Sequence, residues 1–132
     1  MKDCELSGAD LSGENLSEAN LEGANLSGAN LSGTNLKFAK LISANLSKVE
    51  FSGANIVGVN FHKANLSDVN FSGFDLRGPK NFWDVNLSNS NLENANLNGN
   101  YDNINVRGQV LWKANLSGAN LKGANLDGSY LR

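Results

Sequence analysis

The chain has 132 residues, with 11 Lys+Arg against 13 Asp+Glu and a formal net charge of -2, which fits one domain and excludes a large multidomain enzyme. A charged fraction of 18% is too low for a charge-driven disordered chain, and 8% aromatic residues make a thick globular core hard to build. The near balance of charge also argues against direct binding of nucleic acid or anionic lipid. An ordered, repetitive chain is therefore expected.

The start of the chain lacks the apolar run of a signal peptide, and no span approaches the length needed to cross a membrane. Cys4 is the only cysteine, so an intramolecular disulfide is excluded. These features predict a soluble cytoplasmic protein with no membrane contact. Cys4 itself fits the repeat described below as one more small inward residue.

A large apolar residue recurs at every fifth position, beginning at Leu6. Asn usually comes one residue before it and a small residue two before it, as in Ala-Asn-Leu-Ser-Gly at 24–28. A period of five fits neither the 3.6 residues of a helical turn nor the alternation of a strand. Because Gly and Asn accept sharp turns, we expect one turn per unit, with the large and small residues pointing inward. Stacked coils must then supply the backbone hydrogen bonds, and the Asn side chains are expected to bond backbone groups or each other.

The phase of the repeat changes twice along the chain. It slips by one residue near 78–80 and slips back near 98–99. With these slips, about 26 units fill residues 1–132 as a single domain, and Tyr101 and Val106 are the next large inward residues.

These Ala-Asn-Leu-X-X units resemble the repeats of the pentapeptide-repeat proteins, and the resemblance covers residues 4–131. It implies an all-β fold, a right-handed quadrilateral β-helix with four units and about 20 residues per coil. Residues one coil apart should therefore stack on one another. Two columns of large residues are expected: Phe51 on Phe71, and Phe61, Phe82 and Tyr101 on the opposite side.

No group of residues in the sequence indicates catalysis. His62 is the only histidine, and no nucleophile has an obvious base beside it. One Cys and one His are too few for a His/Cys metal site, and carboxylates do not recur on one column as a calcium site requires. The glycines recur with the five-residue period and do not lie between a strand and a helix, as the glycines of a phosphate-binding loop do. We therefore predict a protein that is not an enzyme and holds no cofactor and no metal.

Large apolar residues at outward positions are the candidates for a binding surface. Ile42, His62 and Trp83 occupy equivalent positions on successive coils, and we interpret them as a candidate protein-binding patch. The alternative is that these side chains fold flat across their own corners. The remaining outward apolar residues are expected to be spread over other sides: Phe38, Val57, Val110 and Trp112.

Negative charge is concentrated at the start of the chain, where residues 1–25 hold six carboxylates and one lysine. Asp10, Glu14, Glu18 and Glu22 form a candidate acidic pole. Glu14 falls at a nominally inward position, which a carboxylate tolerates only if water reaches it near an open end of the stack.

Two functions are compatible with these features. The first is a non-catalytic structural or protein-interaction module, a rigid rod that presents columns of side chains to a protein partner or to a second copy in an end-to-end homodimer. The second follows from the resemblance, because some pentapeptide-repeat proteins mimic duplex DNA, regulate the type II topoisomerase gyrase and confer quinolone resistance. Mimicry calls for a strongly acidic surface. Only the first coil is acidic here, so the first function is favoured.

Overall fold

The computed structural model describes residues 1–77, 82–98, 111 and 113–129. Within these ranges the chain forms no helix and no continuous strand, but each five-residue unit carries one isolated bridge residue and a two-residue turn. None of this described part is a helix of the length and apolarity that would cross a bilayer. The bridge residues fall at every fifth position in three runs: 5 to 75, 86 to 96 and 115 to 125.

Each unit ends in a turn that a hydrogen bond closes. The Ala29 N–H donates to the carbonyl of Leu26 at 2.9 Å, and Gly28 between them has a φ of 66°. Glycine adopts this left-handed conformation without steric cost. Lys48 takes the equivalent position with a φ of 60°, so the repeat imposes the turn even on a residue whose side chain disfavours it.

Parallel bridges arrange the units in four columns, because most bridged residues are 20 apart in sequence. We name the columns by their first bridge residues: column A begins at Glu5, column B at Asp10, column C at Asn15 and column D at Asn20. Coils 1 to 6 are numbered by the bridge residues of column A: Glu5, Asn25, Asn45, Asn65, Asn86 and Asn115.

The large residue after each bridge residue fills the interior of the stack. Leu26 and Leu46 of column A are fully buried, and the small residue before the bridge, such as Ala24, is fully buried too. The first coil is less enclosed, since Leu6 and Leu11 are only partly buried. The core is therefore a continuous apolar filling that runs through coils 2 to 5.

The predicted stacking of the phenylalanines is confirmed. The ring centroids of Phe51 and Phe71 lie 5.3 Å apart in column B, and those of Phe61 and Phe82 lie 5.4 Å apart in column D, both pairs in stacked geometry. Tyr101, which was expected above Phe82, lies outside the described residues.

The bridge step is 21 residues between Asn65 and Asn86. This agrees with one additional residue at the first phase slip, although the slip itself near 78–80 lies outside the described residues.

The second change of register differs from the prediction. A slip of one residue near 98–99 would place Asn105 over Asn86, with Tyr101 and Val106 as inward residues. Asn86 instead pairs with Asn115, a step of 29 residues, and the two predicted inward residues lie outside the described part. The five-residue period fixes a residue's place within its unit, but it does not determine which of several equivalent units stacks on a given coil.

The backbone ladder opens between coils 3 and 4 on two adjacent columns. Among the described residues no bridge joins Glu50 to Asn70 in column B or Asn55 to Asp75 in column C. Column A stays closed at this level, because its Asn45–Asn65 bridge is formed. Between coils 3 and 4, columns B and C are thus unpaired while column A is paired.

Phe74 accounts for this opening. It occupies the inward position that a small residue fills in most units, and its ring packs edge-on at 5.5 Å from the ring of Phe71. The residue one coil below is Ala54, which is small. Close-packed interiors do not absorb such extra volume without a backbone shift, so the two coils separate where the ring is inserted.

Asparagine side chains form a second ladder outside the backbone ladder. The Asn45 Oδ1 accepts the Ser47 N–H at 3.2 Å and the Asn65 Nδ2 at 3.1 Å, while the Asn45 Nδ2 donates to the Asn25 Oδ1 at 3.2 Å. The same side-chain bond continues from Asn86 to Asn65 at 2.9 Å. These bonds tie each turn both to its own unit and to the coils on either side.

Replacing Leu31 by Ala should lower the free energy of unfolding by about 2–5 kcal/mol, because Leu31 is fully buried in column B. The same change at Leu11, one coil below in the same column, should cost clearly less, since that side chain is partly exposed. Equilibrium urea unfolding compares the two variants. Equal losses would contradict the gradient of burial from coil 1 to coil 2.

The Asn ladder is tested by comparing Asn45→Ala with Asn70→Ala. Asn45 makes side-chain bonds to three other residues, whereas the Oδ1 of Asn70 accepts the Ser72 N–H at 3.0 Å without a ladder bond to a neighbouring coil. We expect Asn45→Ala to lower the thermal midpoint more, by a difference equivalent to about 1–2 kcal/mol. Indistinguishable midpoints would mean that the side-chain ladder adds nothing to the backbone ladder.

Candidate functional site

The predicted patch of Ile42, His62 and Trp83 lies in column D on successive coils, and all three side chains are half-buried. Backbone bonds between the coils hold them in line. The Ser43 N–H donates to the carbonyl of His62 at 2.9 Å, and the Lys63 N–H donates to the carbonyl of Trp83 at 2.9 Å. The three residues therefore form one row along the rod.

Within this row, His62 and Trp83 are in direct contact. Their ring centroids are 6.4 Å apart in edge-to-face geometry, and the His62 Nδ1 lies 3.2 Å from the Trp83 carbonyl oxygen. A carbonyl only accepts, so this contact requires the imidazole hydrogen on Nδ1. Both side chains thus pack along their own corners and expose only part of their surface.

The larger exposed apolar surface is in column C. Apart from Met1, the most exposed large hydrophobic residues of the described chain are Phe38, at 53%, and Val57, at 60%. The Phe38 N–H donates to the Val57 carbonyl at 2.8 Å, so they share one side of the rod and are not spread over several. Val110 and Trp112, the other two outward apolar residues, lie outside the described part.

One edge of the Phe38 ring lies over Gly58. A methyl group built at Gly58 would lie only 2.3 Å from the Phe38 Cδ1 atom and 2.5 Å from its Cε1 atom. The ring therefore occupies the space above a glycine of the next coil, and a side chain at that glycine would displace it.

A cavity of about 120 Å³ opens next to Val57, at the level where the column C bridge is missing. Ile56 at its edge is only partly buried although it stands at a large inward position. The cavity is lined by Ile56, Val57, Phe61, Asp75, Leu76, Arg77 and Phe82. We call Phe38, Val57 and this cavity the column C surface.

Charged groups stand above and below the exposed apolar pair. The Lys37 Nζ lies 5.2 Å from the centre of the Phe38 ring, within cation–π range. On the other side of Val57, the Arg77 Nε donates to the Asp75 Oδ1 at 2.8 Å. This bond from Arg77 lowers the pKa of the Asp75 carboxyl below its ordinary value, so Asp75 remains ionised at neutral pH.

The predicted acidic pole lies entirely in coil 1. Asp10 belongs to column B, Glu14 and Glu18 to column C, and Glu22 to column D, where Glu22 lies 3.5 Å from the Lys2 Nζ. Glu14 is exposed, which confirms that its nominally inward position is open to water. The carboxylates therefore surround one end of the stack and do not run along it.

Asp10 is held by two neighbours. Its Oδ1 accepts the Ser12 N–H at 3.1 Å and the Asn30 Nδ2 at 3.2 Å. These hydrogen bonds, with those from Ser12 the strongest, lower the pKa of the Asp10 carboxyl. Asp10 thus takes the place of an asparagine at the start of the side-chain ladder in column B, and it keeps its negative charge.

The five-residue units, the turns that close them and the parallel bridges between coils define a repeat protein built from stacked coils. The sequence profile of the pentapeptide repeats matches this chain in eight copies, over residues 1–37, 34–73 and 102–132. The chain belongs to the pentapeptide-repeat family. No curated protein gives a match.

Solved structures of the same family are similar to the chain. The pentapeptide repeat protein Rfr23 from the cyanobacterium Cyanothece 51142 is 26% identical, with 98% of this chain and 85% of that chain covered and a TM-score of 0.45. A pentapeptide repeat protein from the thylakoid lumen of Arabidopsis thaliana is 26% identical, with 99% and 70% covered and a TM-score of 0.42. QnrB1, a plasmid-mediated fluoroquinolone resistance protein, is 20% identical, with 98% and 80% covered and a TM-score of 0.34.

The contact between Phe38 and Gly58 is tested by Gly58→Ala, with Gly53→Ala as the matched control. Both glycines have a positive φ, 68° and 70°, but the nearest atom to a methyl group at Gly53 is 4.0 Å away. Both variants should lose about 1 kcal/mol from backbone strain. Only Gly58→Ala should also displace the Phe38 ring, which a changed chemical shift of the Phe38 ring protons reports. Unchanged ring-proton shifts in Gly58→Ala would show that the ring does not lie on Gly58.

Proposed function

We propose that the protein is a non-enzymatic interaction module, a right-handed quadrilateral β-helix of pentapeptide repeats that presents fixed columns of side chains to a protein partner. Family membership supports this architecture. Four columns of parallel bridges with a turn every five residues fit a four-sided coil. Crossovers between parallel strands are right-handed in nearly all proteins, which supports the hand of the coil.

The observation that carries the proposal is the exposure of Phe38 and Val57 side by side on the column C surface. Contiguous exposed apolar side chains on a soluble protein mark contact sites more often than isolated ones do. Both residues are fixed by coil-to-coil backbone bonds, so a partner meets a surface that is already ordered. Preorganisation of this kind lowers the entropic cost of association.

The row of Ile42, His62 and Trp83 is a second, weaker part of the proposed contact region. Trp and His are suitable anchors for a partner, but all three side chains are half-buried and offer less surface than the column C pair. The proposal therefore places the main contact in column C and a supporting contact in column D.

Regulation of a type II topoisomerase has less support. Duplex DNA carries about one negative charge per 1.7 Å of its axis, so a mimic needs carboxylates distributed along the rod. Asp10, Glu14, Glu18 and Glu22 are all in the first coil. The likeness to QnrB1 concerns the fold and does not extend the proposal to gyrase.

The proposal is tested by placing the photo-crosslinker benzoylphenylalanine at position 57, with position 52 as the control. Val57 and Ser52 hold the same place in neighbouring units of coil 3, and both are exposed. Irradiation of cells that make each variant at native level should give discrete protein adducts from position 57 and none from position 52. Adducts of equal yield at both positions, or none at position 57, would contradict an interaction site in column C.

A further inference from the structure

We infer that the column C surface binds an extended segment of a partner protein that carries an aliphatic side chain and, two residues away along the segment, a carboxylate. This inference rests on the proposed function and specifies the chemistry of the partner. Three features support it: the size and lining of the cavity, two exposed lysines near it that join no ion pair among the described residues, and the distance from Lys37 to the cavity.

The cavity suits one aliphatic side chain. Its apolar lining includes Ile56, Leu76, Phe61 and Phe82. At about 120 Å³ it is smaller than the roughly 150 Å³ apolar cavity that accepts benzene in another protein, so a branched aliphatic group fits better than an aromatic ring. The exposure of Val57 and the partial exposure of Ile56 bring the opening of the cavity to the surface.

The flanking charge favours a negative ligand. Lys37 and Lys40 lie on either side of Phe38 in sequence, and both are exposed. Neither takes part in any of the ion pairs formed among the described residues. The carboxylate nearest to the cavity, Asp75, is already engaged by Arg77. A carboxylate of a ligand on the Val57 side of Phe38 would therefore find cationic partners, whereas Glu18, the nearest carboxylate outside the ion pairs of the described residues, lies on the opposite side, one coil below Phe38.

The spacing favours an extended ligand aligned with the rod. Lys37 belongs to coil 2, whereas the cavity lies between coils 3 and 4. Neighbouring strands lie about 4.8 Å apart between coils 2 and 3, and the gap between coils 3 and 4 is wider in column C, so the separation along the rod is at least about 7 Å. Side chains two residues apart on one face of an extended chain are separated by nearly the same distance, about 6.6–6.8 Å. An aliphatic residue in the cavity thus brings a carboxylate two residues away into reach of Lys37.

The test uses the blocked peptide Gly-Asp-Ser-Leu-Ser-Asp-Gly, which is symmetric in spacing so that either chain direction fits. Three control peptides change one feature each: Gly-Ser-Asp-Leu-Asp-Ser-Gly moves the carboxylates to the adjacent positions, Gly-Asp-Ser-Gly-Ser-Asp-Gly removes the aliphatic group, and Gly-Lys-Ser-Leu-Ser-Lys-Gly reverses the charge. Binding to the ¹⁵N-labelled full chain is followed by amide shifts in NMR titrations. The first peptide should shift the amides of Phe38, Val57 and Arg77 in a saturable way, and each control should bind at least about tenfold more weakly.

Variants of the protein show whether the peptide binds at the column C surface. Ile56→Phe should fill the cavity and keep the fold, because Phe51 and Phe61 already occupy equivalent positions, and it should weaken binding at least about tenfold. Lys37→Glu should do the same, whereas Lys48→Glu, an equal charge change in column A, should leave affinity within about twofold. Lys37 is exposed, so its variant keeps the test decisive even if Ile56→Phe fails to fold.

The inference is overturned if the charge-reversed peptide binds as well as the first, if the moved carboxylates make no difference, or if no peptide shifts the column C amides. When position 57 nevertheless yields crosslinked adducts in cells, such a result rejects the acidic partner and leaves the interaction surface in place. When position 57 yields none either, the proposed function fails with it.

Discussion

The structure depends on backbone hydrogen bonds between neighbouring coils. The Leu26 N–H donates to the Asn45 carbonyl at 2.8 Å, and the Asn45 N–H donates to the Ala24 carbonyl at 2.9 Å. Within its own coil, the only bond between backbone groups that a unit forms is the one that closes its turn. Because an unsatisfied buried backbone group is costly, each coil needs its neighbours, and every side chain pointing inward must match the one stacked on it. The phenylalanine pairs satisfy this condition, and Phe74 above Ala54 does not.

Much of the fold follows from the sequence for this reason. A coil of 20 residues is enough to pair Phe51 with Phe71, and the one additional residue near 78–80 then pairs Phe61 with Phe82. The later register does not follow, because units that share the same inward residues are energetically near-equivalent partners for Asn86. The choice of Asn115 depends on contacts distributed over whole coils, and no local signal in a five-residue unit encodes it.

The candidate site was only partly predictable. The row of Ile42, His62 and Trp83 lies where the periodicity placed it, because these residues share one position in their units. Phe38 and Val57 occupy different positions, so a search within one position missed them. What brings them together is a backbone bond between coils: the N–H of the second turn residue of one coil donates to the carbonyl of the first turn residue of the next coil, as from Phe38 to Val57. The cavity beside Val57 was beyond sequence analysis, since it lies where the backbone ladder between coils 3 and 4 is interrupted, and a five-residue period does not encode that interruption.

The turn residue two positions after each large inward residue limits how the surface of such a protein can evolve. A glycine there is relaxed but contributes no side chain, whereas Phe38, Lys48 and Lys63 adopt the same positive φ with a side chain exposed to solvent. Each of these side chains is displayed at a cost of about 1 kcal/mol in backbone strain. A rod with glycine at every such corner would be free of this strain, but it would present side chains only from its other outward positions. At these corners, a side chain that a partner could contact is gained only with a loss of stability. The number of non-glycine residues at the corners therefore indicates how much backbone strain the chain carries.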